Sequence, residues 1–276
     1  MHRLWLAAAI LCLLGSASGA RPHPSEDHLA RIMERGKITM LCVPHQESEF
    51  IRTNLERGPM KAVGTVADFQ GVDVDILSAF ADHLGVELEI RPAVGSDGLP
   101  AYSELIPSLL RGDGDVIASS ITITAAREER IDFSVPYFTV YPAVVVHRDG
   151  EIQSVADLVG RKASALPGSS QQRHLEDAGI TEDQIVFHDF QLENITAILE
   201  GEVDFSVQDS QPAERFVQEF PELRILGPIS AVRDHYGLGV PPGSDLVGPL
   251  DTFLEDLKAS GELERILAGR RLAQEE

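Results

Sequence analysis

The segment from Ser119 to Arg127 gathers hydroxyls and one arginine: Ser119, Ser120, Thr122 and Thr124 precede Ala125-Ala126-Arg127. Hydroxyls donate single hydrogen bonds, and a guanidinium offers a planar fork that fits a carboxylate. Thr124 is suited to cap a short helix beginning at Ala125. Arg127 then falls at about the third helical position, where the helix dipole disfavours a cation by roughly 0.3–1 kcal/mol. A cation in that place calls for a partner. Ser120, Thr122, Arg127 and the free N–H groups of the helix start would together grip a carboxylate. The competing reading pairs Arg127 with Glu128, Glu129 or Asp132 at the surface. Farther along, Asp209 can pair with an ammonium group, or it can cap the helix that Ser210-Gln211-Pro212 opens. Gly168-Ser169-Ser170 reads as a strand-to-helix turn whose N–H groups can bind an anion. Tyr102 and Phe50 are aromatic candidates to cover the apolar part of a ligand, with core packing as the alternative.

The elements that would carry these residues are written twice. Leu105 to Asp115 leads into Val116-Ile-Ala-Ser-Ser120, and Ile195 to Asp204 leads into Phe205-Ser-Val-Gln-Asp209. Each copy is an apolar helix, a glycine turn (Gly112, Gly201), an aspartate (Asp115, Asp204) and a short apolar strand ending in polar residues. Ligands of open α/β sheets bind outside the carboxyl ends of strands, which points to Ser119-Ser120 and to Gln208-Asp209. One end carries hydroxyls followed by an arginine, the other a carboxylate. A ligand bearing both charges, held between two similar lobes, fits that asymmetry.

Around the repeats, Ser25 to Arg35 reads as a helix capped by Ser25, Lys37 to Val43 as a buried strand stopped by Pro44, and Val72 to Leu84 as a helix closed by Gly85. Residues 45–70 are irregular and polar, which predicts a functional loop or a hairpin at the rim of a site. Phe138 to His147 reads as one long strand between lobes, and Tyr236 to Val240 as the strand that returns. Leu246 to Leu267 is amphipathic, with a break near Ser260-Gly261. The order gives an α/β fold with a discontinuous first lobe (26–140 and 232–276), a continuous second lobe (141–231) and a cleft between them.

Met1-His2-Arg3, the apolar run from Leu4 to Leu14 and the small residues 16–20 read as a secretory signal cleaved after Ala20, too short to span a bilayer. Cys42 is then the one thiol left, expected in a buried strand and in no disulfide. Roughly 250 residues remain, enough for two modest cores. Composition is ordinary, 43% hydrophobic and 24% charged. The net charge of −21 argues against nucleic acid and anionic lipid as partners. The histidines (His45, His83, His147, His174, His188, His235) lack ligand spacing, and no phosphate loop, Gly-x-Gly-x-x-Gly or Gly-x-Ser-x-Gly occurs. No catalytic residue, metal or cofactor is assigned.

At these residues the chain resembles the amino-acid class of bacterial extracellular solute-binding proteins, the type II periplasmic-binding-protein fold that serves ABC importers. The resemblance runs from Gly36-Lys-Ile-Thr through Gly71-Val-Asp-Val-Asp-Ile, Leu105-Ile-Pro-Ser-Leu, Gly114-Asp-Val-Ile, the run from Thr122 to Ser134 and Asp157-Leu-Val-Gly to Val203-Asp-Phe-Ser-Val-Gln-Asp. It implies two lobes, each a mixed sheet flanked by helices, joined by two crossover strands. It also implies that Ser120, Thr122 and Arg127 hold a ligand α-carboxylate, that the turn from Gly168 to Ser170 adds donors, that Asp209 takes the α-ammonium and that Tyr102 packs on the ligand side chain. Members for basic amino acids carry an acidic residue just after the first strand. Val43-Pro44 stands there instead, with Glu47 or Glu49 as replacements from the loop.

The expected function is a periplasmic, monomeric binding protein that closes on an amino acid or similar zwitterion and delivers it to the membrane permease of an ABC transporter. A cyclohexadienyl-dehydratase-like enzyme is the alternative on the same fold, with Glu47, Glu49 or His45 nominated as its acid. A lytic transglycosylase would need a further catalytic domain, which a chain ending at Glu276 is expected to lack. A ligand sensor docking to a signalling partner is the third possibility.

Overall fold

The computed structural model describes residues 27–45, 48–57 and 62–272. Helix α1 (His28–Arg35) leads into β1 (Lys37–Cys42), a short hairpin of β2 (Arg52–Thr53) and β3 (Phe69–Gln70), helix α2 (Val72–Leu84) and β4 (Glu87–Pro92). The first repeated unit follows as α3 (Leu105–Arg111) and β5 (Val116–Ile117), then α4 (Ala125–Glu128), β6 (Asp132–Phe133), β7 (Phe138–Val140) and β8 (Pro142–His147). Next come β9 (Ala163–Ala165), α5 (Ser170–Asp177), β10 (Ile185–Phe187), the second repeated unit α6 (Gln191–Leu199) and β11 (Phe205–Asp209), α7 (Ser210–Glu219) and β12 (Leu223–Pro228). The chain returns through β13 (Asp234–Tyr236) and β14 (Gly239–Val240) to α8 (Val247–Ala259) and α9 (Glu262–Gly269).

Two five-stranded sheets result, ordered β4-β1-β5-β14-β6 and β10-β9-β11-β8-β12. Their pairings match position for position. In the first, β1 lies parallel between β4 and β5, and β14 runs antiparallel to β5 and β6. In the second, β9 lies parallel between β10 and β11, and β8 runs antiparallel to β11 and β12. Both sheets are covered on both faces, as parallel sheets require. Along β1, Ile38, Met40 and Cys42 enter one core and Leu41 the other. Along β8, Val144 and Val146 enter one core, Ala143 and Val145 the opposite one. That alternation is the two-residue period of a strand, and each fully buried Val, Leu or Ile contributes about 1.5–3 kcal/mol.

The duplicated aspartates hold the sheets together at equivalent points. Asp115 accepts the Thr39 N–H of β1 at 2.7 Å, and Asp204 accepts the Lys162 N–H just before β9 at 2.8 Å. In each case the aspartate before one parallel strand clips the start of its neighbour. Gly112 (φ 81°) and Gly201 (φ 74°) supply the left-handed turns that bring those aspartates into place.

A separate antiparallel pair, β7 with β13, joins the two halves, with Val140 opposite Asp234 and Phe138 opposite Tyr236. The single strand expected over Phe138 to His147 is therefore two strands. Pro142 has no N–H, and the Tyr141 backbone is engaged by Ser210, whose N–H donates to Tyr141 O at 2.9 Å. The return strand is likewise split. At Gly237 the backbone lies so close to Ile123 that a Cβ would meet its Cδ1 at 2.8 Å, and the chain bends there from the joining pair into the first sheet. The first helix begins at His28, and the expected Ser25 cap lies outside the described residues, as do the signal segment, Glu47, Gly58-Pro59 and the last four residues. The break near Ser260-Gly261 separates α8 from α9 as expected. No described helix is long and apolar enough to cross a membrane.

Candidate functional site

The polar ends of β5 and β11 face each other across the cleft between the two sheets. His45, Phe50, Tyr102, Ser119, Ser120 and Thr122 line an inner cavity from the first half, and Leu166, Ser170, Gln171, Gln191, Asp209 and Pro212 from the second, with Tyr236 between them. Its volume is about 20 Å³, room for a single water. The halves are drawn together. Thr122 and Ser170 hydroxyls lie 3.1 Å apart, and Arg127 Nη2 donates to Gly168 O at 3.1 Å. His174 meets Asp234 at 2.7 Å beside the joining pair.

Asp209 occupies the N-cap position of α7, yet its side chain makes no cap bond. The helix-cap alternative is therefore not realised. One carboxylate oxygen accepts Gln171 Nε2 at 2.5 Å and the other accepts the Tyr236 hydroxyl. Burial pushes its pKa up to about 6 against the hydrogen bonds from Tyr236 and Gln171, with Asp234 adding repulsion and His174 offsetting it. This carboxylate faces the cavity rather than the helix it heads.

Arg127 is 8% exposed and is not paired with Glu128, Glu129 or Asp132. Thr124 caps α4 by accepting the Arg127 N–H at 3.3 Å, and the guanidinium turns back past the helix start. Arg127 Nη1 donates to Thr122 O at 2.7 Å, and its guanidinium lies 5.5 Å from the Tyr102 ring centre. Arg127 borders an outer chamber of about 470 Å³ with Tyr102, Arg130, the turn at Gly168 to Ser170 and Arg173. Tyr102 and Ser170 form the wall shared by the two spaces.

Two of the hydroxyls named from sequence are engaged elsewhere. Ser119 Oγ accepts the Val43 N–H at 3.0 Å and so ties β5 to the end of β1. Ser169 caps α5, accepting the Gln172 N–H at 3.1 Å and donating to Leu166 O at 2.8 Å. Gly168 N–H donates to Gln172 Oε1 at 2.9 Å, so the donors of that turn toward the cleft are the first N–H groups of α5, at Ser170 and Gln171. Phe50 is 3% exposed and packs edge-on against Phe138 and Tyr236, combining its core and cavity roles. Its loop is pinned because the Val72 and Asp73 N–H groups of α2 donate to Glu49 O and Phe50 O at 3.0 Å. Gly71 makes this possible: at φ 139°, a Cβ would lie 2.1 Å from Phe50 O. The described parts of the 45–70 segment are thus a pinned loop and a hairpin at the rim of the site. Glu49 pairs with Arg52 at 3.1 Å and does not line the cavity.

Several site residues escaped the sequence reading. Tyr236, Gln171 and Gln191 line the cavity, and Asp73 braces it by accepting the Ser120 N–H at 2.8 Å and the Tyr137 hydroxyl at 2.5 Å. Ser120 sits at φ 45°, rare for a residue with a side chain, and Asp73 holds it there. A signal for Asp73 was present. It shares the apolar face of α2 with Leu77 and Phe80, where a carboxylate needs buried partners.

Residues 51–269 match the bacterial extracellular solute-binding proteins, family 3. The chain belongs to that family. Among solved structures, an amino acid ABC transporter substrate-binding protein from Streptococcus pneumoniae, bound to L-arginine, is 26% identical with a TM-score of 0.75, covering 87% of this chain and 97% of that one. ArgBP from T. maritima is 28% identical with a TM-score of 0.74, covering 88% and 98%. The two-lobed, mixed-sheet architecture of type II periplasmic binding proteins is therefore that of this chain. A probable histidine-binding protein from Neisseria gonorrhoeae is 27% identical across 96% of this chain and 94% of its own length. The membrane-bound lytic murein transglycosylase F of Desulfosudis oleivorans is 31% identical across 95% of this chain. The chain spans about half the length of that relative, 54%. Family 3 consists mainly of binding proteins, with enzyme-linked members among these relatives.

Proposed function

We propose that this family 3 protein is a periplasmic binding protein that captures an amino acid between its lobes and delivers it to the permease of an ABC importer. The observation that carries the reading is Asp209, a buried carboxylate at a helix start that leaves its own helix uncapped and faces the cleft. A buried carboxylate so placed is suited to an ammonium group. Across the cleft, Arg127 with Thr122 and Ser120, joined by the first N–H groups of α5 on the side of Asp209, form the matching grip for a carboxylate. Tyr102 and Phe50 supply apolar walls. Ser119 and Ser169 then serve by shaping the site from the backbone, and Gly168 by receiving Arg127 when the lobes close. Relatives that bind arginine or are named for histidine support a zwitterionic ligand.

The lobes are assigned as 26–140 with 232–276, and 141–231, the β7–β13 pair acting as hinge. In this reading the first 20 residues are a cleaved signal, and the chain works as a monomer without cofactor or catalysis. Calorimetry against a panel of amino acids tests the reading, and a folded protein that binds none of them ends it. The relationship to a lytic transglycosylase favours a second use of the same grip, reporting a ligand to an enzyme or signalling partner. Uptake of a labelled ligand by cells lacking the protein separates the two: lost uptake supports delivery, unchanged uptake supports sensing.

A further inference from the structure

The hydrogen-bonding capacity left open in the inner cavity is uncharged. His45 lines it, is 8% exposed, and its Nδ1 is buried without a hydrogen-bond partner. Buried ring nitrogens of histidine are ordinarily satisfied, so an orphan on a cavity wall points to what enters the cavity. The backbone of the residue is pinned. His45 N–H donates to Ile51 O at 3.1 Å and His45 O accepts the Ser48 N–H at 3.0 Å, which fixes the residue just past the end of β1. Across the cleft the imidazole meets the edge of Phe190 at 6.4 Å, directly before Gln191. Burial pushes the His45 pKa down to about 4, so near neutral pH the ring is uncharged, with one nitrogen donating and one accepting.

The neighbours extend the pattern. Gln191 brings a carboxamide to the facing wall, and the Gln171 amide nitrogen holds Asp209. Ser48 Oγ is already accepting from Phe50 and Ile51 N–H groups. Among the described residues lining the cavity, Asp209 is the one that carries a formal charge. Once Asp209 takes the ammonium of the ligand, a cationic side chain finds no further carboxylate among the described residues lining the cavity.

We propose that His45 reads the side chain of the bound amino acid, and that the preferred ligand carries an uncharged donor–acceptor group of the carboxamide type rather than a cation. This rests on the amino-acid-binding reading above. A carboxamide offers the N–H and C=O that a neutral imidazole and the Gln191 amide can pair reciprocally. A cation would be desolvated against groups that cannot neutralise it.

Calorimetry on the purified protein tests this with glutamine, its side-chain analogue norvaline, and arginine. Glutamine is expected to bind at least about tenfold tighter than either, the loss of one buried hydrogen bond being of that order. In His45→Ala the advantage of glutamine over norvaline falls toward unity, and in His45→Asn part of it returns. Nitrogen NMR of the wild-type imidazole adds a reading independent of any variant, with the Nδ1 resonance moving when glutamine is added. Tighter binding of arginine, an unchanged glutamine-to-norvaline ratio in His45→Ala, or a stationary Nδ1 signal in the glutamine-bound protein overturns the role of His45 while leaving amino-acid binding intact. Failure of the wild type to bind any amino acid overturns both.

Discussion

Asp73 and Asp209 are two buried carboxylates in the first turns or caps of helices, each receiving the hydroxyl of a tyrosine at the joining strands. Burial raises both, Asp73 to about 7 and Asp209 to about 6. Their partners differ in where they come from. Asp73 is bonded by Ser120 N–H and Tyr137, both on the chain of the first sheet before it crosses over. Asp209 is bonded by Gln171 of the second half and by Tyr236 of the joining pair, and it alone of the two lines the cavity. The same local chemistry is a brace when its partners share one body and, in the proposed function, a ligand contact when they do not. On the proposed closure, the surroundings of Asp209 would rearrange and those of Asp73 would stay as they are.

The largest expected effect breaks the pair apart functionally. Asp209→Ala and Arg127→Ala are each expected to cost about 3–5 kcal/mol in ligand affinity by calorimetry, because each leaves a buried ligand charge without its partner. Asp73→Ala is expected to show the reverse profile. It leaves the Ser120 N–H and the Tyr137 hydroxyl without an acceptor, lowering stability in urea by about 1–3 kcal/mol, with affinity changing less than about tenfold. An Asp73→Ala protein that kept its stability and lost its ligand would erase the distinction.

Sequence carried more of this comparison for one carboxylate than for the other. Asp209 stood out because the duplicated helix–glycine–aspartate–strand unit placed it at a strand end, and strand ends follow from short-range patterns that local residues determine. Arg127 was legible for the same reason, through Thr124 and the hydroxyl run. Asp73 and Tyr236 became site residues only through partners 64 and 27 positions away. Such pairings depend on how the sheets twist and where the chain crosses, which no local window contains. The crossing reads as continuous strands because apolar residues continue on both sides of Tyr141 and Gly237, while the change of partner occurs at a proline and a close-packed glycine.

The next effect is one of pH, and it sets stability against affinity. Both carboxyls hold a proton more tightly in the folded chain than in the unfolded one, where the ordinary value is 3.8. Their contribution to stability is therefore complete below that value and is lost as pH rises, through about 6 for Asp209 and about 7 for Asp73. Ligand binding runs the other way. An ammonium pairs with ionised Asp209, so affinity rises with pH through about 6 and levels off above it. Calorimetry at pH 5 and pH 7 is expected to differ by about tenfold, with a proton released on binding at the lower pH. No pH dependence over that range would mean that Asp209 does not meet the ammonium.

The smallest expected effect isolates the tyrosines. The Tyr236 hydroxyl favours the ionised form of Asp209, and the Tyr137 hydroxyl does the same for Asp73. Each Tyr→Phe change removes one hydrogen bond, a loss of about 0.5–1.5 kcal/mol in stability that does not by itself tell the two apart. The pH profile of ligand binding does. Tyr236→Phe is expected to move its midpoint upward from about 6, because Asp209 then ionises against burial with less support. Tyr137→Phe is expected to leave the midpoint where it is, since the carboxylate it serves lies outside the cavity. Equal shifts in the two variants would show that the brace and the ligand contact are coupled through Ser120, whose N–H meets Asp73 while its side chain lines the cavity wall.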